Sequence, residues 1–192
     1  MKLYMIRHGQ SAANAQRLHA GWAQVPLTEQ GIRKAALAGR LLRDISFDQI
    51  YVSDLIRAQQ TLAAALPDAT AVTTPLLREI GVGDLAGKSA AECLQLYGDS
   101  YHENKAVQNF VPYGGENAAM HLDRIRDFSK GLEKKPHQSV AAFCHEGSIR
   151  CMLDLVLGYR HDRKERSLDN GSVTIFEYEN GTWSLVSWNQ MN

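Results

Sequence analysis

Two short segments carry side chains suited to one kind of chemistry. Arg7-His8-Gly9 closes the apolar run Leu3-Tyr4-Met5-Ile6, and His145-Glu146-Gly147 closes the run Ser139–Cys144. Both histidines therefore stand where a buried strand should end, the zone in which open α/β sheets bind ligands. A neutral imidazole flanked by arginine can attack phosphorus while guanidinium groups hold the phosphoryl oxygens. Two further segments begin after candidate strands. One is Ser53-Asp54-Leu55-Ile56-Arg57-Ala58-Gln59-Gln60-Thr61, and the other is Leu77-Arg78-Glu79-Ile80-Gly81-Val82-Gly83-Asp84-Leu85-Ala86-Gly87. All four could converge on one rim of a sheet.

The elements that would position them follow from periodicity. Residues 2–7 read as a short buried strand. Thr28 is a candidate N-cap for a helix carrying Ala35, Ala36, Leu37, Leu41 and Leu42 at helical spacing. Residues 47–52 read as a strand, 54–65 as a helix ended by Pro67, and 71–73 as a short strand. The stretch 80–115 is irregular, rich in glycine and aromatic residues, with a helix over 89–97. A long connection of this kind is usually functional, and it reads as an active-site cover, bounded at 80–116. Helices are expected over 116–133 and 147–157, with a buried strand at 139–144 between them. Residues 172–178 and 182–188 flank Glu179-Asn180-Gly181, a hairpin signal. Strands alternating with helices, plus a terminal hairpin, predict a three-layer αβα sandwich with a mainly parallel sheet. One domain spanning 1–192 is expected.

Composition narrows the function classes. The 192 residues are 44% hydrophobic and 22% charged, which argues against disorder. Basic and acidic residues number 21 each, so the chain offers no electrostatic footprint for nucleic acid or an anionic membrane. Positive charge is local, at Arg7, Arg57 and Arg150, which suits a small anionic ligand. Cys93, Cys144 and Cys151 form no CxxC pair and no even disulfide set, which fits a reducing, cytoplasmic setting. The first apolar run is too short for a signal peptide, and no run reaches membrane-spanning length. His19, His102, His121, His137 and His161 lack metal-ligand spacing and are expected to face solvent, with His102 able to reach substrate. Trp22 is expected to pack near the phosphate loop.

Taken in order, these segments resemble the histidine phosphatase superfamily. Arg-His-Gly-x-Ser-x-x-Asn runs from Arg7 to Asn14, and Pro-Leu-Thr-x-x-Gly from Pro26 to Gly31. Ser-x-Leu-x-Arg-Ala-x-Gln-Thr is intact from Ser53 to Thr61. Glu79 with its glycines, Gly114-Gly115-Glu116 and His145-Glu146-Gly147 complete the series. The resemblance implies that His8 is a nucleophile that becomes phosphohistidine. It implies that Arg7 and Arg57 clamp phosphate, and that Asn14 and His145 donate to it, with His145 protonated by the bound dianion. It implies that Glu79 is the general acid and base, for which a partly dry, enclosed spot is expected. Substrate contacts are expected from Arg7, Asn14, Gly21, Arg57, His145 and Glu146. No cofactor and no metal are required, because arginines supply the charge a Mg²⁺ ion would otherwise supply.

Glu146 stands where the phosphatase members carry a small residue, and a structural role, capping the next helix or tuning His145, is expected. Ser11 is expected to be structural. Glu79 could instead pair with Arg78 on the surface. Phosphoglycerate mutases of the family carry a longer insertion with extra arginines, whereas residues 80–116 hold only Lys88 and Lys105 as basic groups. The resemblance therefore points to a phosphomonoesterase acting on a small-molecule phosphate ester. A cofactor-dependent mutase and a non-catalytic phospho-ligand-binding protein are the alternatives. No nucleic-acid or membrane partner is expected, and an oligomer is permitted but not required.

Overall fold

The computed structural model describes residues 1–160 and 168–192; His161 lies outside the described residues. The strands are β1 (Lys2–Arg7), β2 (Gln49–Ser53), β3 (Val72–Thr74), β4 (Ser139–Cys144), β5 (Val173–Glu179) and β6 (Thr182–Gln190). The helices are α1 (Ala12–Gln16), α2 (Glu29–Leu42), α3 (Ile56–Ala65), α4 (Ala90–Tyr97), α5 (Asp99–Val107), α6 (Ala118–Glu133) and α7 (Glu146–Leu157). The strands form one sheet in the order β3-β2-β4-β1-β5-β6. The first four run parallel, and β5 and β6 run antiparallel to their neighbours.

Side-chain alternation along the central strands separates two cores. Leu3, Met5, Val140, Ala142 and Cys144 pack with Ile125, Phe128 and Leu132 of α6 and with Ile149, Met152 and Leu153 of α7. Ile6, Ala141 and Phe143 pack on the other face with Ala38 and Leu42 of α2 and Ala58 and Leu62 of α3. Strand β4 is buried over five of its six residues, which accounts for an apolar run of small and aromatic residues without alternation. The expected three layers are present, with the hairpin as the antiparallel margin.

The caps match their sequence signals. The Thr28 hydroxyl accepts from the Gly31 amide at 3.0 Å, and Ser89 forms a capping box with Glu92 at the head of α4. Gly31 has a second duty. A Cβ there would stand 2.1 Å from the Gln10 carbonyl oxygen, so α2 can approach the loop after β1 only through a glycine.

Helix α1 (Ala12–Gln16) has no counterpart in the sequence reading, and two further differences have a clear physical cause. Strand β2 begins at Gln49 rather than at Phe47, because Asp48 accepts from the backbone amides of Gln138 and Ser139 before pairing starts. Residues 99–107 form α5, where no helix was expected, because the segment is polar with no clear apolar stripe. Its one fully buried residue, Tyr101, joins Ile80, Val82, Leu85, Cys93, Phe110 and Tyr113 in a third core within the cover.

Candidate active site

Register alone brings the two histidines together. Arg7 lies opposite Cys144 in the β1–β4 ladder, so His8 and His145 are the first residues beyond it on adjacent strands. The His8 amide donates to the Cys144 carbonyl at 3.0 Å, and the two rings lie 5.1 Å apart. On the other side of β4, β2 ends at Ser53, whose hydroxyl lies 2.9 Å from His145 Nε2. Strand β3 leads through a turn at Pro75–Leu77 to Glu79. The four segments thus meet at the carboxyl ends of parallel strands.

Each group is held from behind. His8 Nδ1 lies 2.6 Å from the Gly9 carbonyl oxygen. A carbonyl only accepts, so Nδ1 carries the proton and the lone pair sits on Nε2. Thr61 Oγ1 accepts from the Gly9 amide and donates to the Arg57 carbonyl, tying the loop to α3. Arg57 is 1% exposed, and its Nη1 and Nη2 donate to the carbonyls of Ala23 and Gly21 at 3.0 and 2.8 Å. Arg7 donates to the Leu168 carbonyl and pairs with Glu146 at 3.0 Å. Asn14 Oδ1 accepts from the Ser11 amide at 3.1 Å and from Asn170, which leaves its Nδ2 as the donor toward the cavity it lines.

Burial and positive charge set the electrostatics. His8 is held well below the usual imidazole range, first by burial and then by the Arg57 guanidinium. His145 is lowered by the same two causes in the same order. Both rings are therefore neutral at neutral pH. Burial also lowers Arg57, to about 10, which leaves it charged. Arg7 Nε, Arg57 Nε and His145 Nδ1 are all buried and have no hydrogen-bond partner. Buried polar nitrogens without a partner are costly unless a ligand meets them.

The cavity over His8 encloses about 330 Å³ and is lined by Arg7, His8, Asn14, Gly21, Arg57, Glu79 and Glu146, with cover residues at its mouth. Every expected site residue except His145 lines it, and His145 stands behind His8. Glu79 is half-buried, and its carboxylate accepts from the amides of Ile80 and Gly147 at 2.9 and 3.1 Å. Gly147 permits this, because a Cβ there would stand 2.0 Å from Glu79 Oε1. Glu79 is not paired with Arg78, whose guanidinium grips Asp54 at 2.8 and 3.0 Å.

Several expectations are corrected. Glu146 has a structural role, but not as the cap of α7, whose N-cap is His145; it bridges Arg7 and Arg150. Trp22 lies against the Glu79 segment, with Nε1 donating to the Glu79 carbonyl and Arg78 over its ring. His121 is buried beneath Gly147, and His19 lines the cavity with Nε2 2.8 Å from the Tyr101 hydroxyl. His102 is exposed and lies outside the cavity lining. The sequence reading missed Arg124. It donates to the carbonyls of Leu76, Arg78 and Glu79 and pairs with Glu116 at 2.8 Å, so it fixes the backbone that presents Glu79. The only signal for it was Glu116 in Gly114-Gly115-Glu116.

The model of the histidine phosphatase superfamily (branch 1) matches residues 3–191. The chain belongs to this superfamily. It is 28% identical over 194 residues to the adenosylcobalamin/alpha-ribazole phosphatase of Escherichia coli K12, covering 99% of this chain and 91% of that protein. It is 32% identical over 194 residues to phosphoglycerate mutase 1 of Saccharomyces cerevisiae, covering 96% of this chain and 76% of the mutase. A crystal structure of the alpha-ribazole phosphatase of Shigella flexneri superposes with a TM-score of 0.90 at 28% identity, covering 99% and 96% of the two chains. Relatives in the superfamily thus include both phosphatases and mutases. Among the described residues, no helix is long and apolar enough to cross a membrane, and no group of three or more candidate ligands could hold a metal ion.

Proposed function

We propose that the protein is a metal-independent phosphomonoesterase that hydrolyses small phosphate esters through phosphohistidine at His8. The observation that carries this reading is the set of buried, unpartnered nitrogens of Arg7, Arg57 and His145 around a neutral His8 whose Nε2 lone pair is unprotonated. An anion with several acceptor oxygens, bound in the cavity that Arg7 and Arg57 line, would offer partners to their guanidiniums, with His145 next to His8 as a further donor.

In this reading His8 Nε2 attacks phosphorus, the P–N bond forms and the ester P–O bond breaks. Arg7, Arg57 and Asn14 bind the equatorial oxygens, where charge spreads in the transition state. His145 is neutral in the empty site and takes up a proton when the dianion arrives, because a nearby negative charge favours the charged imidazole. Glu79 gives its proton to the leaving oxygen. It then takes a proton from water as that water attacks phosphorus and the P–N bond breaks, releasing phosphate and restoring His8. The backbone amide of Gly147 and the grip of Arg124 hold Glu79 in place for both steps.

Hydrolysis is favoured over mutase chemistry because Lys105 is the one basic residue that the cover contributes to the cavity lining, which offers little to hold a multiply anionic substrate. The deciding experiment is hydrolysis of p-nitrophenyl phosphate at mildly acidic pH with EDTA present throughout, and turnover is the expected result. Activity that appears only when 2,3-bisphosphoglycerate is added to a phosphoglycerate substrate would replace this reading with a mutase. No turnover under either condition would leave a phospho-ligand-binding protein.

A further inference from the structure

Glu146 sits in an unusual place for a carboxylate. It is the first residue of α7, directly after His145, and it lines the cavity over His8. Its Oε2 lies 3.0 Å from Arg7 Nη2 and its Oε1 lies 2.9 Å from Arg150 Nε. The Arg7 and Arg150 side chains are 12% and 5% exposed, against 34% for Glu146, so the acid reaches in from the wetter side to two largely buried guanidiniums. It also lines an adjoining cavity of about 280 Å³, with Glu79, Ile80, Gln108, Gly147 and Arg150.

We infer that Glu146 is a resident counter-ion of the phosphate clamp, holding Arg7 in the empty site and weakening the site's grip on inorganic phosphate. The inference rests on reading the cavity over His8 as a phosphate site. Two physical arguments support it. A buried guanidinium left without an anion each time product departs carries a desolvation cost, and a nearby carboxylate offsets that cost. The same carboxylate stays beside the site when phosphate is bound, since Arg7 Nε is a separate donor from the Nη2 that Glu146 engages. A negative charge so close to a dianion opposes its binding. The local charge shows the scale of this effect. The two cavities are lined by Arg7, Arg57, Arg150 and Lys105 against Glu79 and Glu146, four cationic side chains against two carboxyl groups, so removing one acid shifts the balance further toward anion retention. Glu146 is thus a positioning residue for Arg7 and an aid to product release, rather than a substrate-binding group.

The test is calorimetric binding of inorganic phosphate to the intact protein and to Glu146→Gln at about pH 7.5, with perrhenate as a tetrahedral monoanion for comparison. Glu146→Gln keeps the size and one acceptor oxygen, removes the charge and turns the other oxygen into an NH2 donor, so Glu146→Ala, which brings no donor, is measured beside it. Phosphate should bind roughly tenfold more tightly to the variant, and perrhenate by a clearly smaller factor, because the repulsion scales with ligand charge. Glu146→Ala should also tighten phosphate, and it replaces Glu146→Gln if that protein does not fold. Unchanged or weaker phosphate binding in the folded variants, or equal tightening of both anions, overturns the inference. Binding needs no turnover, so the two readings fail separately. Wild-type protein that binds phosphate yet hydrolyses nothing defeats the phosphatase reading alone. An active wild type with no charge-dependent change in the variants defeats the counter-ion alone.

Discussion

The floor and the cover of the cavity are built in opposite ways. On the floor, His8, Arg57 and His145 are at most 5% exposed, and each is tied to backbone or to a buried hydroxyl. The cover, residues 80–116, has a small core of its own around Tyr101 and Phe110 but presents exposed residues such as Leu96, Val107 and Val111. Its contributions to the cavity are the buried apolar Ile80, Val82 and Phe110 together with two polar residues, the exposed Lys105 and the half-buried Gln108. Rigid, desolvated groups suit chemistry that is the same for every substrate, whereas a wetter wall with its own core can vary without disturbing that chemistry. Glu79 stands at the seam, fixed by Gly147 on the floor side and by Arg124 and Glu116 beneath it.

This contrast can be broken by substitution. His8→Ala removes the proposed nucleophile, and activity on p-nitrophenyl phosphate should fall on the order of 10⁴-fold or more while the melting behaviour stays close to wild type. Retained activity would remove His8 from the chemistry. Glu79→Gln should lower the rate by about 10² to 10⁴-fold on alkyl phosphates and far less on p-nitrophenyl phosphate, whose leaving group needs no proton. Equal losses on both would show that the seam residue positions rather than transfers. Lys105→Ala, in the cover, should change KM among substrates by a few-fold and leave kcat for p-nitrophenyl phosphate near wild type, as expected for an exposed charge. A large kcat loss would erase the distinction between floor and cover.

The floor should also betray itself through pH. His8 and His145 are held neutral in the native state, whereas unfolded histidines take up protons near 6.5. The unfolded chain therefore binds more protons as pH falls below about 6.5, and native stability falls with it until the native rings finally titrate. Thermal melts should show a melting temperature that drops between about pH 7 and 5, with part of the loss recovered by added phosphate. A flat profile would mean that burial is not holding these rings neutral.

Much of the floor was legible in sequence because each group lies within a few residues of a strand end, and strand ends are marked by where apolar runs stop. Leu3–Ile6 and Val140–Cys144 fixed the positions of Arg7, His8 and His145 in this way, and the alternation of strands and helices implied the layered architecture. The cover was less readable. Helix α5 packs through Tyr101 on a polar segment, so no stripe announced it.

Local sequence marks which segments carry the candidate site side chains and the order in which they occur. How distant charges pair is settled by the folded chain. Glu146 reaches Arg7 across 139 residues of chain, and Arg124 reaches the Glu79 carbonyl across 45. Nothing in either local pattern announces those contacts. The burial of His121 beneath Gly147 is likewise set by the packing of α6 against α7, not by its neighbours in sequence. The physical reason is that backbone hydrogen bonding and apolar periodicity are short-range signals. Electrostatic partnership depends on which buried surfaces the sheet register brings face to face.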